Sequence, residues 1–414
     1  MKQKRQLLII GLVWPEPQSS AAGWRMQQLI DFFLRENYQI TFASAAAQSP
    51  FSLDLTKLGV QTAEILLNDA SFDDFLQQLQ PDVVLFDRFM IEEQFGWRVA
   101  EHCPQALRIL DTEDLHFLRI ARQKASEQNR KFEADDLYSE TAKRELASIL
   151  RCDVSLMISE FECDLLTQQF GISSDLLCYV PFLVDEISEN EKNAQPSFEI
   201  RTDFVFIGNL MHPPNWDAVL ALKEDVWPLL SKQLPEASLK IYGAYTPPKA
   251  QQQHKPSERF YIMGRADSAL EAIGQARVML APIRFGAGVK GKLLEAMQVG
   301  TPSITTTVGA EAMHINGAWN GLIADAPEEF VSAAIRLYTD KALWEEAQKT
   351  GFEILEQRYD KKKFESILSQ RIEALLLSLK AHRQKHFLGQ ILHHHTLGST
   401  RYMAKWIEAK NKNN

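Results

Sequence analysis

Cysteine is scarce in this 414-residue chain: Cys103, Cys152, Cys163 and Cys178 are the four, with no CxxC pair among them. That excludes a disulfide framework and points to a reducing, cytoplasmic setting. Long apolar runs are lacking as well. The N-terminal run 7–14 has eight residues, against the ~20 of a membrane span. No cleavage signal follows it, so it reads as a first buried strand. The chain holds no internal repeat and no low-complexity tract. Positive charge is in deficit, with 45 Lys and Arg against 54 Asp and Glu and a net charge of −9. An acidic body argues against nucleic acid as a main partner. The deficit is uneven, since residues 380–414 carry seven Lys or Arg and the single acid Glu408, a local +6 that leaves −15 elsewhere. With Phe387, Tyr402 and Trp406 interleaved, this tail is a candidate for peripheral contact with an anionic membrane at the inner face. A solvated terminal helix is the other reading.

What is present fits a two-domain globular protein. The length exceeds one ordinary core, and 45% hydrophobic with 24% charged residues is a balanced composition. Strand-like runs at 6–13, 39–43, 83–86, 107–110, 154–158 and 177–180 alternate with helical spacing such as 26–34 and 143–150. The acidic, aperiodic stretch 185–199 interrupts them, and strand-like runs resume at 204–207, 239–242, 260–263, 278–283 and 303–306. Residues 328–380 then read as helical. Such alternation implies parallel sheets covered on both faces by helices. The predicted units are a Rossmann-like domain at 1–190, a second at 200–365, and a helical, basic tail at 366–414.

Glycine is also sparse, 19 residues in all, yet three fall within six positions: Gly286, Gly288 and Gly291, interleaved with Lys290 and followed by Lys292. A strand precedes this loop and a helix carrying Glu295 follows. Glycines bring several N–H groups close to a ligand, and a helix start adds partial positive charge. The design suits a phosphate or diphosphate. The string also matches GxGxxG, with Glu311 twenty residues beyond, which is the spacing of a dinucleotide fingerprint and so of an NAD(P)-dependent oxidoreductase. Against that reading, residues 282–285 separate strand from glycine, lysines sit in the turn, and the motif follows the fourth strand of its domain.

The segments FVFIGNLMHPPNWDAV (204–219), Gly264-Arg265 and APIRFGAGVKGKLLEAMQVGTPSITTTVGAE (281–311) resemble the donor half of retaining GT-B glycosyltransferases of family 4, of the glycosyltransferase group 1 type. DTEDLHFLR (111–119) and SEFE (159–162) extend the resemblance over the first domain. It implies an α/β, GT-B fold, with two Rossmann-like, doubly wound domains facing across a cleft. It also implies a nucleotide-sugar donor, a carbohydrate, lipid-linked or protein acceptor, and no metal or other cofactor, in line with the lack of an Asp-x-Asp motif. By this resemblance Glu295 holds the donor ribose, and Lys292 with the loop N–H groups meets charge on the leaving diphosphate. Gly208, Asn209, Arg265, Arg284, Gly286, Gly288 and Lys290 complete the expected donor site. Two departures stand out. Many relatives have a glutamate where Ala287 stands, and an Arg/Lys phosphate clamp where Asn209, His212 and Asn215 stand, with Arg284 or Lys290 as its substitute. A non-catalytic sugar-nucleotide or glycan-binding relative is therefore a further reading.

In the first domain, the small-residue loop 15–25 follows the first strand, where ligands sit in open parallel sheets. Ser20 and Gly23 are candidates to approach a phosphate or sugar, and Arg25 to pair with an anion. His116 or Asp111 is the candidate catalytic group contacting the donor sugar. The adjacent His393, His394 and His395 lie too close together to face one ion.

Overall fold

The computed structural model describes residues 4–394 together with Met403 and Trp406. Seven strands build the first sheet: β1 (Gln6–Gly11), β2 (Gln39–Ser44), β3 (Gln61–Glu64), β4 (Val83–Asp87), β5 (Leu107–Asp111), β6 (Val154–Met157) and β7 (Leu177–Tyr179). Their order is β3-β2-β1-β4-β5-β6-β7, and every pairing is parallel. Sheets of this kind are buried on both faces, which is why β1, β4 and β5 read as continuous apolar runs. One face packs on Met26, Leu29 and Phe33 of the helix Ala21–Arg35. The other packs on Phe72, Phe95 and Phe117.

The second sheet holds β8 (Thr202–Ile207), β9 (Leu239–Tyr242), β10 (Phe260–Gly264), β11 (Ala276–Ala281), β12 (Ser303–Thr305) and β13 (Gly321–Ile323). It is also parallel throughout, in the order β10-β9-β8-β11-β12-β13. Strand order reverses between β1 and β4 in one sheet and between β8 and β11 in the other. The crevice beyond the strand ends at such a reversal is where open α/β sheets bind ligands.

Two strands escaped the sequence reading, for a shared reason. β3 is a largely exposed edge strand and β13 a three-residue edge strand, so neither shows a buried apolar run. The interval 185–199 contains one exposed helix, Glu189–Asn193, opened by a capping box between Ser188 and Glu191. The helical region divides into Pro327–Thr339, Lys341–Arg358 and Lys361–Lys385. Asp340 and Asp360 cap the latter two, each accepting a backbone N–H at 3.1 Å. Lys361–Lys385 crosses position 365 and lays Phe364, Leu368, Ile372 and Leu375 into the first-domain core. Where the chain returns, Val184 N–H donates to the Tyr359 carbonyl at 2.9 Å and Lys361 N–H to the Val184 carbonyl at 3.1 Å.

A last described helix, Phe387–His394, seats Gly389 against the Leu150 carbonyl. The ring of His393 lies 3.1 Å from the Arg151 carbonyl, while His395 and Tyr402 are outside the described residues. Arg383 and Lys385 pair with Asp153 and Asp175. Phe387, Leu388 and Ile391 are more than half exposed. Among the described residues no helix is long and apolar enough to cross a membrane.

Candidate active site

A cavity of about 610 Å³ opens between the two sheets, lined from both domains by the loops at the strand ends. Val13–Trp24 follow β1, Arg88 follows β4, and Glu113 and Asp114 follow β5. From the other side come Gly208, Asn209 and His212 after β8, Tyr245 after β9, Arg265 after β10, and residues 286–292 after β11. A second cavity, about 440 Å³, lies behind it between the helix Ala21–Arg35 and the linker, and contains no part of the glycine loop.

Most residues named for the expected donor site line the second-domain wall of this cavity. Lys290 is the residue preceding the helix Gly291–Gln298, so Lys292 and Glu295 project from its first turns. Lys292 donates to the Asn215 side chain, and its ammonium lies 4.7 Å from the centre of the Phe206 ring. Burial drives the Lys292 pKa down to about 7 against the pull of Glu295, and drives Glu295 up to about 7 against Lys292. Lys290 donates to the Gly288 carbonyl at 2.9 Å, and burial lowers it to about 8. Gly208 is needed for space: a Cβ there would stand 2.7 Å from the Asn215 amide nitrogen and 3.1 Å from the Lys292 ammonium. Asn209 accepts the Met211 N–H at 2.9 Å. Arg265 reaches Gln18 at 3.2 Å and covers Phe51 at 4.5 Å. His212 is held neutral by burial and by Arg119, with a pKa lowered to about 4.

Two expectations on this wall are corrected. Arg284 does not substitute for a phosphate clamp, because its guanidinium turns out of the cleft and is engaged bidentately by Asp217. The amide of Gly288 is not free for a ligand either. It donates at 2.8 Å to Glu162, which also accepts the Leu115 N–H at 3.1 Å. Burial and the charge of Asp114 raise Glu162 to about 8. Gly288 is itself obligatory here, with φ +62° and a would-be Cβ 3.0 Å from that of Asp114.

On the first-domain wall, Ser20 and Gly23 line the cleft, but Ser20 is the helix N-cap and its Oγ takes the Gly23 N–H at 3.0 Å. Arg25 and Asp111 are corrected outright. They form an ion pair at 2.9 Å with side chains 1% and 0% exposed, beneath the cleft rather than in it. Arg25 also donates to the Val180 carbonyl at 2.8 Å, tying the first helix to the chain beyond β7. His116 does line the cleft. Its Nδ1 lies 3.4 Å from Asp114 and 3.5 Å from Glu145. Burial works against ionised Asp114, yet Arg119 and His116 hold it down at about 2.

Sequence reasoning passed over Arg88 and Glu113, both non-glycine residues at positive φ, 73° and 63°. Strain of that kind concentrates at functional sites. Neither residue type announces such a backbone in a sequence. The contacts across the cleft were equally hidden. Arg122 clamps Glu311 with two bonds of 2.8 and 2.7 Å and donates to the Gly286 carbonyl at 2.9 Å. Glu311 is thereby committed to an interdomain pair, which disfavours its use on a dinucleotide ribose. Tyr245 donates to Glu16 across the opposite end of the cleft.

Residues 201–340 match the family described as glycosyl transferases group 1. An uncharacterized 44.6 kDa protein in the cps region of Klebsiella pneumoniae is 26% identical over 226 residues, which is 53% of this chain and 56% of that one. The chain thus spans little more than half the length of this curated relative. Sucrose-phosphate synthase from Thermosynechococcus elongatus superposes with a TM-score of 0.66 at 14% identity, over 91% of this chain and 100% of that one. HepE from Anabaena, solved with UDP-glucose, gives 0.64 at 12%, over 89% and 100%. The expected GT-B fold is the one observed.

Proposed function

We propose that the protein moves a sugar from a nucleoside diphosphate donor to an acceptor hydroxyl, a reading supported by the match of residues 201–340 to the group 1 glycosyl transferases and by the GT-B fold. The observation that carries this reading is the meeting of Lys290, Lys292 and Glu295 with His116 in one cavity at facing strand reversals. A diphosphate lies beside the two lysines and the helix start, and Glu295 takes the vicinal ribose hydroxyls. As the glycosidic bond breaks, negative charge gathers on the departing diphosphate, and Lys292 meets it. His116 approaches the sugar from the opposite wall.

The reaction proceeds with retention: the acceptor hydroxyl attacks from the face the diphosphate leaves, and its proton passes to that diphosphate. No metal is needed, since the lysines meet the charge. Closure of the domains excludes water, which otherwise hydrolyses the donor. The exposed Phe387, Leu388 and Ile391 give the tail a surface for peripheral membrane contact. Titration of tryptophan fluorescence tests the donor reading. UDP or GDP quenches saturably and NADH does not; saturable NADH binding with no response to either diphosphate overturns it. Transfer to an acceptor is lost in Glu295→Ala and Lys292→Ala.

A further inference from the structure

The glycine loop of the second domain is gripped by the first. Glu162, on the helix Glu160–Phe170, is fully buried, and its Oε1 alone accepts two N–H groups. One is that of Leu115 in its own domain, at 3.1 Å, and the other that of Gly288 in the loop, at 2.8 Å. Two residues earlier in the loop, the Gly286 carbonyl accepts from Arg122 of the helix His116–Glu127 at 2.9 Å. Glu311 holds the same guanidinium with bonds of 2.8 and 2.7 Å. Two of the loop glycines are required by this packing. A Cβ on Gly288 would lie 3.0 Å from that of Asp114, and one on Gly291 would lie 2.9 Å from that of Ala21, both first-domain atoms.

These contacts sort the polar groups of the loop. N–H groups attract an anion and carbonyl oxygens repel it. The carbonyls of Gly286 and Gly288 are each taken by a cation, Arg122 and Lys290. The N–H groups of Ala287, Val289 and Lys290, residues that line the cleft, make no hydrogen bond among the described residues. A loop with glycines at 286, 288 and 291 has many backbone conformations open to it, and holding it in one removes an entropic cost from binding. Pins on the 286 carbonyl and the 288 amide fix the peptide planes between them. Neither Glu162 nor Arg122 lines the cleft itself.

Resting on the transferase reading above, we infer that Glu162 and Arg122 are positioning residues, which hold the glycine loop from the first domain in the conformation that receives a diphosphate. They act on the donor only through the loop backbone. The donor site is then complete only with the first domain against it. Because one oxygen of Glu162 accepts both N–H groups, its side-chain carbonyl is sufficient for the task and a charge is not required.

The test titrates the full chain by tryptophan fluorescence with UDP or GDP, whichever quenches the wild type, and with the matching nucleoside, well below each variant's unfolding midpoint. Glu162→Ala is expected to weaken diphosphate binding at least tenfold and to leave nucleoside binding within twofold, since only the phosphates meet the loop. Glu162→Gln keeps the accepting carbonyl and is expected to bind as the wild type does. Arg122→Met in a Glu311→Gln background, which leaves no unmatched charge, is expected to show the same selective loss, and it carries the test should Glu162→Ala fail to fold. Glu160→Ala removes a bond to Arg358 between the domains without touching the loop, and is expected to change neither affinity. Unchanged diphosphate affinity in Glu162→Ala or in the Arg122 variant overturns the inference. So does an equal loss of nucleoside binding, a Glu162→Gln variant as weak as Glu162→Ala, or a matching loss in Glu160→Ala. A wild type that responds to neither diphosphate instead overturns the transferase reading on which it rests.

Discussion

Replacing Lys292 by Met gives a sharp test of the donor wall, because the lysine titrates in the working pH range. Buried beside the helix start, Lys292 has its pKa lowered to about 7 and Lys290 to about 8. A bound diphosphate restores the charged form of both. The free protein therefore holds fewer protons than the complex, binding takes up protons, and affinity falls as pH rises through these values. Between pH 7.5 and 8.5 the nucleotide phosphates are already ionised. Over that unit Lys292 contributes about an eightfold rise in UDP Kd and Lys290 about a threefold one, near 25-fold together. In Lys292→Met the dependence shrinks to about threefold, and at pH 7 the variant binds about tenfold or more weakly. Fluorescence titration at fixed ionic strength measures both. If the wild-type Kd is flat over this interval, or the variant keeps the full dependence, Lys292 does not face the diphosphate.

Removing one member of the buried Arg25–Asp111 pair leaves a lone charge in the core. Asp111→Ala should cost about 3–5 kcal/mol in urea unfolding, and a stable but inactive variant would return Asp111 to the catalytic list. Glu162 is raised to about 8 in the folded chain, so its neutral form is favoured there and stability falls as pH climbs from the ordinary carboxyl range through 8. Glu162→Gln should flatten thermal stability between pH 6 and 9; an unchanged slope rules out Glu162 as its source. Gly208→Ala places a methyl against the movable ends of Asn215 and Lys292. Its unfolding midpoint should stay close to wild type while UDP affinity drops about tenfold, and the reverse pattern would refute the packing argument.

Most of the fold was legible because its central strands are buried on both faces and spell unbroken apolar runs, as β1, β4, β8 and β11 do. β3 and β13 were not, since an edge strand with one solvated side carries little apolar signal. The proposed donor wall was legible for a related reason: the features that suit a phosphate are local, compressed into residues 286–295, where glycine spacing and charge are both visible. The other wall is assembled from five loops far apart in the chain. Nothing near Arg25 or Asp111 distinguishes a ligand contact from a buried pair 86 positions away, and nothing near Gly288 shows that Glu162 consumes its amide. Charged residues keep one identity in the sequence whether they face water, substrate or each other.

The helix Lys361–Lys385 has a consequence for anyone cutting or recombining this chain. It completes the core of the domain in which the polypeptide begins, so that domain is discontinuous in the gene. A fragment ending in the linker would expose the apolar trough that Phe364, Leu368, Ile372 and Leu375 fill, and should aggregate. Chimeras that exchange donor halves between relatives must therefore replace an internal cassette, from the linker to Arg358, and leave both termini in place. The two junctions of such a cassette lie side by side, bonded through Val184 and Tyr359. A single short seam, rather than two distant ones, would then join host and insert.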